Sequence, residues 1–478
     1  MSIAAQTASA LVRAACLAGV AVAISGWLAA SLAGQRGRAK SIAWALLLAP
    51  FLTPALLISY AFSRLSLALT ASPWSHQTLY ATVLLLKLVP VAVVARSLMP
   101  SPLSAEARHC HRLLSAPSFF ERVLFRLRAS GPAPWFAGGL VFLLAFADFE
   151  LASLWNIKTW TVVLFDAQTG GLAWRESLRL AAWPLAIQVA VLAVLTQFTG
   201  SVRPVKTGAG NGGAAIFGYL AIVAFVVCAL PLLIVFAQAV AGFPAVAENF
   251  VLGNEIIASA LFAAGAAAVS CRGAYASRVL VSASRRNELP DAFESGDVFV
   301  KGTVSKVREG GTPSPTLGTR MLPGVPGLLG SLIVALFVLA VFQTPLLRPL
   351  YDTPLPLLLA LTIILLPLAL LLGALLRMRH ASPMRHIARQ LGSRRLAWDL
   401  ETQPRLAAFA LLFCWAYFDF TASAILAPTR FTPVFVRLHN LAHYGQTAVL
   451  SAMMLAAFAV PVLLLLLTFA AGQIHARR

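Results

Sequence analysis

An all-α polytopic membrane protein with about eleven transmembrane helices is the fold class this sequence predicts, on three observations. The first is composition. Of 478 residues, 59% are apolar and only 11% charged, whereas soluble domains carry about 25% charged residues. Mean hydropathy is +0.82, so too little polar surface exists to coat a water-soluble body. An ordinary soluble enzyme, a disordered chain and a collagen-like rod are excluded together. The second observation is pattern: the apolar residues form Ala, Leu and Val runs without the alternation of membrane β-strands. The third is charge, because basic residues gather in alternate connecting segments.

Crossing a bilayer core takes roughly 20 apolar residues, and each stretch can be justified in chain order. The first, 9–33, is long enough to span and reads as a retained helix, with no separate cleavable signal. The second, 41–62, carries Pro50 and Pro54, and the third, 78–99, carries Lys87 and Pro90. The fourth, 134–155, contains Asp148-Phe149, and the fifth is 177–199. The sixth is 216–241 and the seventh 255–281. Pro323 and Pro326 open the eighth, 325–345, and the ninth, 354–376, holds Pro367. The tenth, 405–427, contains Asp419-Phe420, and the eleventh is 446–471.

The chain has 37 Lys+Arg against 17 Asp+Glu, a formal +20. No nucleic-acid partner follows from that, because basic cytoplasmic loops orient membrane helices. Arg36, Arg38 and Lys40 follow the first helix; Arg108, Arg112, Arg122, Arg126 and Arg128 follow the third. Arg377, Arg379, Arg385, Arg389, Arg394 and Arg395 follow the ninth, and segments after even-numbered helices are poorer. One alternating topology satisfies every segment, with the N-terminus outside and the C-terminus cytoplasmic. The five cysteines are scattered without a CxxC pair. They read as small buried side chains, with no disulfide framework or zinc site.

The chain also repeats itself. Ala145-Phe-Ala-Asp148-Phe149 recurs as Ala416-Tyr-Phe-Asp419-Phe420, and Thr159-Trp160-Thr161 faces Arg430-Phe431-Thr432 at the same offset. Leu85-Leu-Lys87-Leu-Val-Pro90 answers Thr362-Ile-Ile364-Leu-Leu-Pro367. Residues 1–200 (helices 1–5) then form one repeat and 255–478 (helices 7–11) another, a 5 + 6 arrangement with the extra helix 6 inside the connecting segment 201–254. The copies have the same orientation, which implies halves related by an axis along the membrane normal, with a shared path between them. The polar stretch 283–322, rich in Gly, Pro, Ser and Thr, reads as a flexible cytoplasmic linker.

At the same place in each repeat lies a basic cytoplasmic segment, about 99–132 and 378–404, with amphipathic helical character. With the Asp-Phe helix that follows, these segments resemble the permease subunits of binding-protein-dependent ABC importers, most closely the fused iron(III)/thiamine type. In that family each half bears a cytoplasmic coupling helix of the form Glu-Ala-Ala, three residues, Gly. The resemblance places candidate coupling positions at Glu106, Ala107 and Phe120 in the first copy, and at Ala388, Gly392 and Trp398 in the second. The family's glutamate falls on His386, and Leu114 stands where the first copy's glycine would be. The resemblance implies a permease in the cell (inner) membrane, with a separate ATP-binding subunit and an extracytoplasmic substrate-binding protein as partners. It also implies iron(III), thiamine or a similar small solute as cargo.

Intramembrane charges are expensive and usually face protein or water, so Lys87, Asp148 and Asp419 are the candidates for the translocation path. A bond that only fixes helix packing is the competing reading for the aspartates, and snorkelling for Lys87. His439 and His443, four apart on an expected outward segment where they could share a helix face, are too few for a metal site. His109 and His111, flanking Cys110, read as a solvated helix face. No phosphate-binding loop, HExxH pair or GxSxG elbow occurs. The expectation is a transport subunit with no catalytic residues, cofactor or metal. The alternatives are an ion-coupled secondary transporter and a transport-inactive scaffold derived from a permease.

Overall fold

The computed structural model describes residues 3–99, 131–197, 214–249, 252–286, 322–379, 390, 398–429, 431–443 and 447–477. Among these residues every element is a helix. The first half contains α1 (Ile3–Ala33), α2 (Gly37–Leu52), α3 (Ala55–Ala61), α4 (Ser63–Leu69) and α5 (Pro73–Leu98). It continues with α6 (Ala133–Phe146), α7 (Glu150–Leu154), α8 (Trp160–Thr169) and α9 (Trp174–Gln197). Next, α10 (Ala214–Ala224) runs through a π turn into α11 (Leu230–Asn249). The second half contains α12 (Leu252–Arg286), a 3₁₀ turn over Leu322–Leu329, α13 (Ser331–Phe342) and α14 (Leu355–Arg379). After a π turn at Trp398–Thr402 come α15 (Gln403–Phe418), α16 (Thr421–Leu426), α17 (Val434–His443) and α18 (Thr447–Arg477).

Each of the eleven expected stretches is helical over most of its described residues, and among the described residues eight helices are long and apolar enough to cross a membrane, or nine if the bent pair α2 and α3 is one. The expected stretches 325–345 and 405–427 are made of shorter pieces, the 3₁₀ turn with α13 and α15 with α16. The loops carrying Glu106, Ala107, Phe120, Ala388 and Gly392, Cys110 with its flanking histidines, and nearly all of 283–322, lie outside the described residues.

The broken spans have local causes. Between α2 and α3 the chain turns by 78°; Pro54 lacks an N–H, and Thr53 before it is extended, with ψ 124°. Between α6 and α7 the helix stops at Ala147–Phe149. The freed backbone groups need new partners, because hydrocarbon offers none. Asp148 Oδ2 accepts the Ala152 N–H at 3.3 Å, while Trp160 Nε1 and Thr161 Oγ1 donate to the Phe146 and Asp148 carbonyls at 2.8 and 2.7 Å. The second half breaks at the matching place, where Asp419 Oδ1 accepts the Ala422 N–H at 2.8 Å.

Helix pairing follows the same scheme in both halves: α1 packs on α5 and α6, and α12 packs on α14 and α15. Likewise α8 packs on α9, and α17 on α18. The joins between halves differ. On one side α9 lies directly against α13, with Gln188 Nε2 donating to the Leu329 carbonyl at 3.0 Å. On the other, α11 wedges between α3 and α18, and Gly242 lets its backbone close on the Ala448 carbonyl. There the Tyr60 hydroxyl lies 2.5 Å from Gln238 Oε1 and 2.8 Å from the Thr447 carbonyl oxygen, two acceptors for its one proton.

The core is aliphatic and aromatic, and Trp183, Val240 and Leu467 stand exposed on outer faces, as lipid-facing positions do. The cysteines are less uniform than expected. Cys414 is buried and Cys228 and Cys271 are half-buried, but Cys16 is exposed, because it falls on a face of α1 that no other helix covers.

Candidate functional site

The two Asp-Phe breaks meet. Phe149 and Phe420 stack across the join with ring centroids 6.0 Å apart and planes within 7°. Phe165 of α8 packs on Phe149 at 4.5 Å, and His439 of α17 lies over Phe420 at 4.2 Å. Each ring sits at a break, Phe149 between α6 and α7 and Phe420 between α15 and α16. Glu150, the first residue of α7, ties the halves: its Oε1 accepts the Phe420 N–H at 3.1 Å. A cavity of about 10 Å³ beside this contact is lined by Glu150, Phe420, His439 and Pro54. Such a volume admits about one water molecule, so the join is closed at this level.

Around the rings sits a cluster of ionisable groups. Asp148 takes the Tyr80 hydroxyl at 2.8 Å, and the Arg13 guanidinium lies 4.9 Å from the centre of the Tyr80 ring. Lys87 of α5 is half-buried and is held in the field of Glu150 first and Asp148 second. Asp419 is 8% exposed and lies beside Ser331, the first residue of α13. The preceding Gly330 has φ +91°, a conformation glycine adopts readily. A Cβ on it would lie 2.8 Å from the Ala147 methyl carbon of the first half.

All three expected path residues therefore lie near the join. Asp148 and Asp419 are caps of broken helices as well, so the packing reading and the path reading describe the same atoms. Lys87 has Glu150 as its foremost electrostatic partner, ahead of the expected Asp148. Glu150, Tyr80 and Arg13 were missed. The usable signal for Glu150 was an acidic residue directly after the repeated Asp-Phe, hidden because its counterpart is the neutral Thr421. His439 and His443 lie on one helix, α17, four apart as expected, with the His439 ring against Phe420. No group of three metal-binding side chains exists among the described residues. Trp398 opens the π turn before α15 and is half-buried. Compared with known proteins, the chain matches no family model, no curated protein and no solved structure.

Proposed function

We propose that this chain is the permease subunit of a binding-protein-dependent ABC importer, built from two parallel repeats around a shared path. The observation that carries the reading is the stacked Phe149–Phe420 pair, where the breaks of two similarly packed halves meet beside Asp148, Glu150 and the buried Asp419. A path along such a join opens when the halves rock apart and closes when the rings meet. The N-terminus is outside and the segments 99–132 and 378–404 face the cytoplasm, where they dock a separate ATP-binding subunit. An extracytoplasmic binding protein delivers the solute, iron(III), thiamine or a similar small molecule.

The half-buried Asp148, Glu150 and Lys87, with the buried Asp419, favour a second reading, an ion-coupled secondary transporter. The two readings part in one experiment. An importer subunit co-purifies with an ATP-binding partner and takes up solute in liposomes only with that partner and ATP. Gradient-driven uptake by this chain alone refutes the importer and supports the second reading. No uptake in either format refutes both and leaves the scaffold.

A further inference from the structure

The two halves place a carboxylate at matching breaks and then treat it differently. In the first half Asp148 has a phenol donor, Tyr80, and lies in the fields of two cations, Lys87 and Arg13. Extending the repeat Leu85–Pro90 to Thr362–Pro367 toward the start of each helix puts Leu357 at the place of Tyr80 and Ile364 at the place of Lys87. Both Tyr80 and Leu357 are fully enclosed, at 0% and 1% exposure, so the same site is filled by a hydroxyl-bearing ring in one half and by a shorter hydrocarbon in the other. A cavity of about 10 Å³ borders Leu357 in the second half, lined by Asp419, Ser259, Ser423 and the stacked rings of Phe262 and Phe431. Asp419 makes no ion pair among the described residues: its Oδ1 accepts the Ala422 N–H, Ser423 and Ser331 lie beside it, and the nearest charge acting with it is the like-charged Glu150.

A carboxylate shut away from water needs a compensating positive charge or must give up its own. The first half supplies that charge from its own side chains. The second half has replaced both the phenol and the lysine with hydrocarbon and has left a water-sized space instead. We propose that this space binds a small monovalent cation, with the Asp419 carboxylate and the Ser259 and Ser423 hydroxyl oxygens as its oxygen ligands. Oxygen donors suit a hard cation, and a single carboxylate matches one positive charge better than two. The site stands whether or not an ATPase drives the chain.

The test uses the purified full-length chain in detergent, with sodium chloride as the probe against choline chloride at equal ionic strength and across a pH series. Sodium should raise the thermal midpoint saturably, and radioactive sodium should bind at one site per chain. D419N should abolish both signals. L357Y, which restores the phenol of the first half and fills the space, should abolish them too while leaving the carboxylate in place. E176Q, at an exposed carboxylate of α9 away from the join, should leave both intact. The proposal is overturned if sodium and choline are equivalent, or if the response survives L357Y in a folded protein. It is equally overturned if the midpoint follows pH alone through Asp419, since the carboxylate then takes a proton in place of a metal ion.

Discussion

Glu150 offers the most direct way to disturb the closed join, because its carboxylate is the first half's polar hold on the backbone of the second half's Asp-Phe break. E150A removes the acceptor of the Phe420 N–H, a bond of 3.1 Å. A hydrogen bond to a charged group contributes about 1.5–3 kcal/mol, and an orphaned buried donor costs about 1–3 kcal/mol. The two figures describe one event and are not summed, so the closed arrangement should lose about 1–3 kcal/mol. That is roughly a 5–150-fold change in the ratio of closed to open forms. E150Q keeps an amide oxygen that can accept the same N–H, and should lose much less. The assay is leak of a small fluorescent solute from liposomes carrying the full-length chain, with the thermal midpoint as a check on folding. E150A should leak while E150Q stays near the parent. Equal behaviour of parent, E150A and E150Q refutes the latch. If E150Q leaks as E150A does, the charge beside Lys87 matters and the bond to Phe420 does not.

Three further outcomes are expected. G330A should lower the thermal midpoint, since φ +91° with ψ 154° is a region essentially reserved for glycine, costing other residues roughly 1–3 kcal/mol, and the new Cβ meets Ala147; adding A147G should recover the steric part only. Y80F leaves Asp148 with the Ala152 N–H but without its hydroxyl donor, and should cost about 1.5–3 kcal/mol in a denaturation series; an unchanged midpoint means that the phenol supports nothing. If the cytoplasmic segments dock an ATP-binding subunit, W398A and F120A should each reduce its co-purification at unchanged protein amount, with hot-spot losses of about 2 kcal/mol or more. Indifference to both removes the support those segments give the importer.

The sequence by itself determined the all-α membrane class, because burial in hydrocarbon needs long apolar runs and those are countable in one dimension. It also exposed the two similar Asp-Phe runs at which the structure breaks its helices, since a local likeness is legible in one dimension. Prolines marked the α2–α3 bend, where Pro54 denies the helix a donor. Nothing local, however, marked Gly330, whose turn is required by the approach of Ala147 from the other half. The ring stack was invisible for a similar reason: Phe149 and Phe420 are far apart in the chain, and only packing brings them face to face. Tyr80 and Glu150 went unnoticed because each departs from the repeat, and a search for similarity passes over the positions where two copies differ. Tertiary structure alone showed that those differences sit against the paired carboxylates. Charge compensation acts through space, so the partner of a buried group is set by which helices touch and not by its neighbours in sequence.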